Sequence, residues 1–180
     1  MRTPTVIRDM RREDNQRRAH AAAGDRVFAE LQRSRQVFPN RLHSLEEAAS
    51  VLEEELDELK DAVRANMTGH ARAEAIQVAA MALRLVVDVT DAEACQARDR
   101  LAVQAALTSA RRYPPEGPLV SAHEGRGYLR CWQQRLCDAI VAEDPQKAFH
   151  AANAIAALAL RFVAEVPADD SKHQALGYRR

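Results

Sequence analysis

Apolar residues recur with helical spacing along almost the whole chain, and no segment shows the strict alternation of a strand. Over residues 45–63, Ala48, Val51, Leu52, Leu56, Leu59, Ala62 and Val63 share one arc of a helical wheel. Residues 71–89 are apolar at nearly every position, which predicts a central helix. Punctuation divides the chain into further helices. One is expected over about 25–36, stopped by "FPN" at 38–40, because proline restricts the residue before it. Ser44 with Glu47 forms a capping box that opens the next helix, and "NMTGH" at 66–70 closes it. Thr90 with Glu93 and Ser121 with Glu124 repeat the box, and "YPPEGP" at 113–118 repeats the proline break. Asp144 followed by Pro145 predicts a last helix, with proline at its first position, ending near Pro167.

The order of these signals repeats, and so do the residues. "AMALRLVVDV" at 80–89 matches "ALALRFVAEV" at 157–166 in six of ten positions, an offset of 77 residues. The same offset pairs Leu52 with Leu129, Leu59 with Leu136 and Val63 with Ile140. Further back the offset is 75, pairing Phe38-Pro39 with Tyr113-Pro114. Two copies of a three-helix unit in tandem are expected. The expected organisation is an arginine-rich arm or helix over 1–23, a first unit over 24–90, a second over 91–167, and a polar tail over 168–180. Together they form one all-α bundle of about six helices plus the N-terminal segment.

Composition narrows the field. Acidic and basic residues balance at 26 each, so no overall charge draws the chain toward nucleic acid or a membrane. Scarce aromatics and six glycines suit closely packed helices. The cysteines Cys95, Cys131 and Cys137 form no C-x-x-C pair and read as small core fillers in a reduced, cytoplasmic compartment. The most apolar run, 73–89, carries Glu74, Gln77, Arg84 and Asp88, so it reads as a core helix and not as a membrane span. The arginines of residues 1–23 alternate with Asp9, Glu13 and Asp14, which favours a solvated segment over a nucleic-acid-binding arm.

The chemistry lies where acids interrupt apolar faces. Glu55 falls inside the apolar arc of its helix, Glu58 at the edge one turn on, and Asp61 a turn further. On the next helix Glu74, Gln77, Met81, Arg84 and Asp88 share one stripe. A carboxylate withdrawn from water costs several kcal/mol unless it is compensated. Exposed helical ion pairs, worth about 0.2–0.5 kcal/mol, are too weak for that. A divalent cation with oxygen ligands is strong enough. An amphipathic helix with a solvated acidic face, Glu55 reaching its rim, is the alternative from pattern alone.

The motif itself carries a resemblance. Glu55 and Glu58 in "ELDE", a gap of fifteen residues, then Glu74 and Gln77 in "EAIQ" resemble the E-x-x-E…E-x-x-D signature of the MazG-like all-α nucleoside triphosphate pyrophosphohydrolases. The flanking "HSLEEAASVLEEELDELKDAV" and "EAIQVAAMALR" are similar to the small phage and actinobacterial branch, over roughly residues 25–89. The likeness to dimeric deoxyuridine triphosphatases is weaker; there a second, internally duplicated copy has lost its acids.

The resemblance implies Mg²⁺, or Mn²⁺, on Glu55, Glu58, Glu74 and Gln77; Asp61 or Glu54, on the same side of the helix as Glu58, is a candidate auxiliary. It implies hydrolysis of a nucleoside triphosphate at the α-phosphate, giving the monophosphate and pyrophosphate, with Glu55 or Glu58 as proton acceptor. Lys60 and Arg84 are then candidates for the phosphates, and Arg35, Asn40 and His43 for the nucleoside. Arg84 has a structural alternative, pairing with Asp88 at i+4, and Arg161 at the matching position of the second unit favours it. For His43 a packing or capping role at the start of its helix is the alternative.

Two departures qualify the implication. Gln77 replaces the signature's last acid; its amide oxygen still coordinates but brings no charge. In the second unit Trp132, Arg135, Ala151 and Ala154 stand where Glu55, Glu58, Glu74 and Gln77 stand in the first, so that unit is expected to be a packing partner. A nucleotide-binding or regulatory protein without turnover is therefore a second reading. A helical module using its arginine-rich start to meet nucleic acid or protein is a third. A homodimer is compatible with all three.

Overall fold

The computed structural model describes residues 4–90 and 96–168, with side chains from Arg8 onward, Asp9 excepted. Among them there are six α-helices and no strand: α1 (Pro4–Val37), α2 (Leu45–Arg64), α3 (Thr68–Val89), α4 (Gln96–Ser109), α5 (Ala122–Val141) and α6 (Pro145–Glu165), with a 3₁₀ turn over Ala110–Arg112. The proposed box of Thr90 with Glu93 lies outside the described residues, as do Cys95 and the tail from 169 on.

The expected helix starts are made by the expected atoms. The Glu47 N–H donates to Ser44 Oγ at 3.1 Å, and Glu47 Oε2 accepts from the His43 N–H at 2.7 Å. Seventy-seven residues on, Glu124 and Ser121 repeat the first bond at 3.1 Å, and Glu124 accepts from the Val120 N–H at 2.7 Å. Asp144 Oδ1 caps α6 through the Lys147 N–H at 3.0 Å. Helix ends match as well. Asn66 (φ 56°) and Glu143 (φ 52°) both adopt the left-handed conformation just after α2 and α5. Their N–H groups then bond back to the carbonyls of Val63 and Ile140.

One expected boundary is absent. α1 does not begin near Asp25 but runs unbroken through Gly24 from Pro4 to Val37, 34 residues or about 51 Å. Gly24 serves packing: a Cβ there would lie 2.6 Å from Leu107 Cδ1 on α4. From Arg8 to Arg18 nearly every described side chain is exposed, so this part of α1 projects past the bundle. α3 also starts three residues earlier than expected, at Thr68, without a side-chain cap.

Helices α3 and α6 form the centre. α2 and α5 pack on one side of them, and α1 with α4 on the other. The central pair is antiparallel, since Arg72 at the start of α3 donates through Nε and Nη2 to the Val163 carbonyl near the end of α6, at 3.1 and 2.7 Å. Close approach is possible because Ala75, Ala79 and Ala82 on α3, and Ala152, Ala156 and Ala159 on α6, fill the seam and are wholly buried. Leu52 and Leu59 on α2, Leu129 and Leu136 on α5, and Phe162 on α6 are the large side chains of the core around them. Burial of each stabilises the fold by roughly 1.5–3 kcal/mol before chain entropy is charged against it. Among the described residues α6, not residues 73–89, is the helix long and apolar enough to cross a membrane by length and composition, but most of it is buried within the bundle.

Two buried arginines hold the proline-rich loops. Arg84 Nη2 donates to the carbonyls of Phe38 (3.1 Å) and Asn40 (2.8 Å), while its Nε meets Asp88 Oδ2 at 3.3 Å. Arg161 Nη1 donates to the carbonyls of Tyr113 and Pro115, both at 2.8 Å, while its Nε meets Glu165 Oε1 at 3.1 Å. Burial would raise the Glu165 carboxyl, but hydrogen bonds from His20, Arg161 and the Leu119 N–H outweigh it and hold it at about 2.

Candidate metal centre

The α2–α3 hairpin builds the site. Its tight turn sets the helices antiparallel, so residues one turn apart on each face each other across a narrow seam. Glu55 and Glu58 come from α2 and Glu74 from α3, and one carboxylate oxygen from each lies within 4.8 Å of the other two. Glu74 is only 5% exposed, Glu55 is half-buried and Glu58 faces solvent.

The electrostatics are unfavourable without a cation. Burial pushes the Glu55 carboxyl up to about 7, and the neighbouring carboxylates of Glu58, Glu74, Glu30 and Glu54 add to the effect. Burial also raises Glu74; His70 opposes the rise while Glu58, sharing a hydrogen bond with it, adds to it. Glu55 Oε2 is buried and has no hydrogen-bond partner. An orphaned carboxylate oxygen on a residue of a three-carboxylate cluster is costly for folding, and the cluster is suited to a hard divalent cation, whose preferred donors are oxygens. The donor set fits such an ion.

Glu74 is fixed from both sides. Gln77 Nε2 donates to its Oε2 at 2.7 Å, and His70 Nε2 lies 3.1 Å from its Oε1. Gln77 thus uses its amide N–H to orient the glutamate, leaving its oxygen for another partner. Cavities lie on both sides of the acids. Glu58, Asp61, Met67, His70 and Glu74 border a shallow one of about 460 Å³. The other, about 490 Å³, lies between α1, α2 and α3, with Arg33, Phe38, Glu54, Glu55, Gln77 and Met81 on its walls. Phe38 is 63% exposed at its mouth. The auxiliaries Glu54 and Asp61 therefore flank the acids on opposite sides, outside the triad itself.

The basic candidates fare differently. Arg35 donates to Asp99 through Nε and Nη2, both at 2.8 Å, and to Asp88 through Nη1 at 2.7 Å. It clasps α1, α3 and α4 and is committed to the fold. Arg84 is also committed, its guanidinium bonded to Asp88, the Ser34 carbonyl and two loop carbonyls, although it backs the larger cavity. Lys60 pairs with Asp57 and borders neither cavity. Asn40 borders the larger cavity and lends its carbonyl to Arg84. His43 is exposed, its N–H serving the α2 cap, which is the structural alternative raised for it.

Sequence reasoning passed over His70, Glu30 and Arg33. His70 precedes Glu74 by one turn, a spacing visible in the sequence. Arg33 grips Glu30 by two bonds of 2.8 and 2.6 Å beside Glu55, and only the packing of α1 on the hairpin reveals that proximity. Comparison of the chain with family models, curated proteins and solved structures gives no match in any of the three.

Proposed function

We propose that this chain is a divalent-cation-dependent pyrophosphohydrolase of nucleoside triphosphates, built as a tandem duplication of a MazG-like helical unit whose second copy has lost its acids. The observation that carries the reading is the convergence of Glu55, Glu58 and Glu74, one of which, Glu55, has a buried oxygen without a hydrogen-bond partner. The motif resemblance supplies the reaction class, and the hydrogen bonds that recur at the 75- and 77-residue offsets support the duplication.

In this reading Glu55, Glu58 and Glu74 hold Mg²⁺ or Mn²⁺. When bound, the cation supplies charge neutralisation at phosphorus and acidifies water. The protein's own groups do the rest. His70 and Gln77 fix the Glu74 carboxylate, so that little reorganisation is needed on binding. Glu55 or Glu58, through an oxygen not used as a ligand, is placed to act as the general base. The cavity between α1, α2 and α3 receives the nucleoside, with Phe38 and Met81 offering apolar contact and Arg33 a cation on its wall.

The test is release of pyrophosphate from a panel of canonical and modified nucleoside triphosphates with Mg²⁺. Wild-type turnover is expected, with loss of at least 100-fold in Glu55→Gln while helicity is kept. Full activity in that variant would remove Glu55 from the mechanism.

A second reading has its own support: Gln77 stands where the signature has an acid and spends its N–H on Glu74. A nucleotide-binding protein without turnover is then expected to bind the same panel and release no pyrophosphate.

A further inference from the structure

The position that carries the acid site in the first half carries a second cavity in the other half, with inverted charge. Subtracting 77 from Arg135, Asp138, Ala139, Ala142, Lys147 and Ala151 gives Glu58, Asp61, Ala62, Ala65, His70 and Glu74, all of which border the shallow acidic cavity. The second cavity, about 470 Å³, is bordered by Trp132, Arg135, Lys147 and His150 over a wall of alanines. The only charge common to both is the carboxylate of Asp61 and Asp138.

The side chains there are ordered by aromatic packing. Trp132 is nearly buried, with Tyr113 edge-on at 5.3 Å between centroids and His150 edge-on at 5.4 Å. The Arg135 guanidinium lies over the indole, 4.3 Å from its centroid. Stacking fixes the plane of the guanidinium and leaves its N–H edges outward, the geometry in which arginine binds phosphate by two parallel bonds. Among the described residues Arg135 donates to no carboxylate or carbonyl. His150 has ring contacts only. Lys147 pairs with Asp144 at 2.8 Å and keeps further donors. Opposing them is Asp138, at the rim, which accepts from Gln134 Nε2 at 2.9 Å.

We infer that this cavity is a binding site for a phosphate-type anion, held by Arg135, Lys147 and His150 on the Trp132 floor and needing no metal. The inference is independent of the activity proposed for the acid site. Its anion can come as free pyrophosphate or as the phosphate of a nucleotide, and both are tested.

Trp132 is the only tryptophan in the chain, so its fluorescence reports on this cavity and on no other. The full-length protein is titrated with sodium pyrophosphate, and separately with a nucleoside monophosphate, in EDTA at constant ionic strength, with calorimetry in parallel. EDTA removes cations from the acid site, and constant ionic strength separates binding from screening. Saturable binding below 10 mM is expected, weakened at least tenfold in Arg135→Ala/Lys147→Ala and unchanged in Glu55→Gln. The tighter of the two ligands identifies the source. If the double variant does not fold, Lys147→Ala alone is read for at least threefold weakening. No saturable signal in either fluorescence or heat, or affinity that is unchanged in the folded variant, overturns the inference.

Discussion

Glu55 concentrates the cost and the use of the acid site in one side chain. Its carboxyl is raised from the ordinary value of 4.5 to about 7 by burial and then by its acidic neighbours. A raised carboxyl favours the folded state while it is protonated. That contribution is fully present below about pH 4.5 and is lost as pH rises through 7. In EDTA the protein is therefore expected to lose roughly 1–3 kcal/mol of stability between pH 5 and pH 8 from this group, with water at the half-buried site reducing the upper figure. Thermal unfolding across that range measures it. Glu55→Gln should flatten the slope, and a slope identical to wild type would show that another group is responsible. Glu143 offers a separate test. It adopts φ 52° where its counterpart is Asn66, and a left-handed residue with a Cβ is strained by roughly 1–2 kcal/mol. Glu143→Gly should raise stability by about 0.5–1 kcal/mol in denaturant titration.

Between elements, the buried arginines decide how the loops lie. Arg84 ties the end of α3 to the segment joining α1 and α2, and thereby sets the wall of the larger cavity. Arg84→Met leaves Asp88 with one fewer cation and two loop carbonyls without their donor. The expected cost is about 3–5 kcal/mol, seen as a lower denaturation midpoint. Arg161→Met should cost a similar amount through Glu165 and the loop over 113–117. If Arg84 served substrate phosphate instead, its variant would keep the wild-type midpoint and lose only activity.

For the whole molecule, the bundle closes around α3 and α6, and the first part of α1 stands outside it. The described side chains from Arg8 to Asn15 are exposed, whereas α1 joins the core from His20 onward, through the His20–Glu165 hydrogen bond and the burial of Ala23, Val27 and Leu31. Removal of residues 1–15 is expected to change stability by less than about 0.5 kcal/mol, measured by thermal melting. A large loss would mean that the projecting turns brace the bundle. The same deletion separates the arginine-rich segment from both cavities, so neither pyrophosphate release nor binding at Trp132 should change.

What could be read from the sequence was local. Ser44 with Glu47, Ser121 with Glu124, and Asp144 with Pro145 mark helix starts because a cap acts over three residues. Glu55, Glu58 and Glu74 could be grouped because helical periodicity and a short turn leave two antiparallel helices little freedom. The unbroken α1 was hidden because the packing that Gly24 serves is against Leu107, 83 positions later. Arg35 read as a nucleoside contact and Arg84 as a phosphate ligand because their acceptors, Asp88, Asp99 and the loop carbonyls, mostly come from other elements. By itself the sequence determined the helices, their faces and the acids that interrupt them, since these follow from backbone periodicity and short-range hydrogen bonds. Only the tertiary structure decided which charges are spent on the fold and which remain for a ligand, because that depends on which distant groups burial brings within hydrogen-bonding reach.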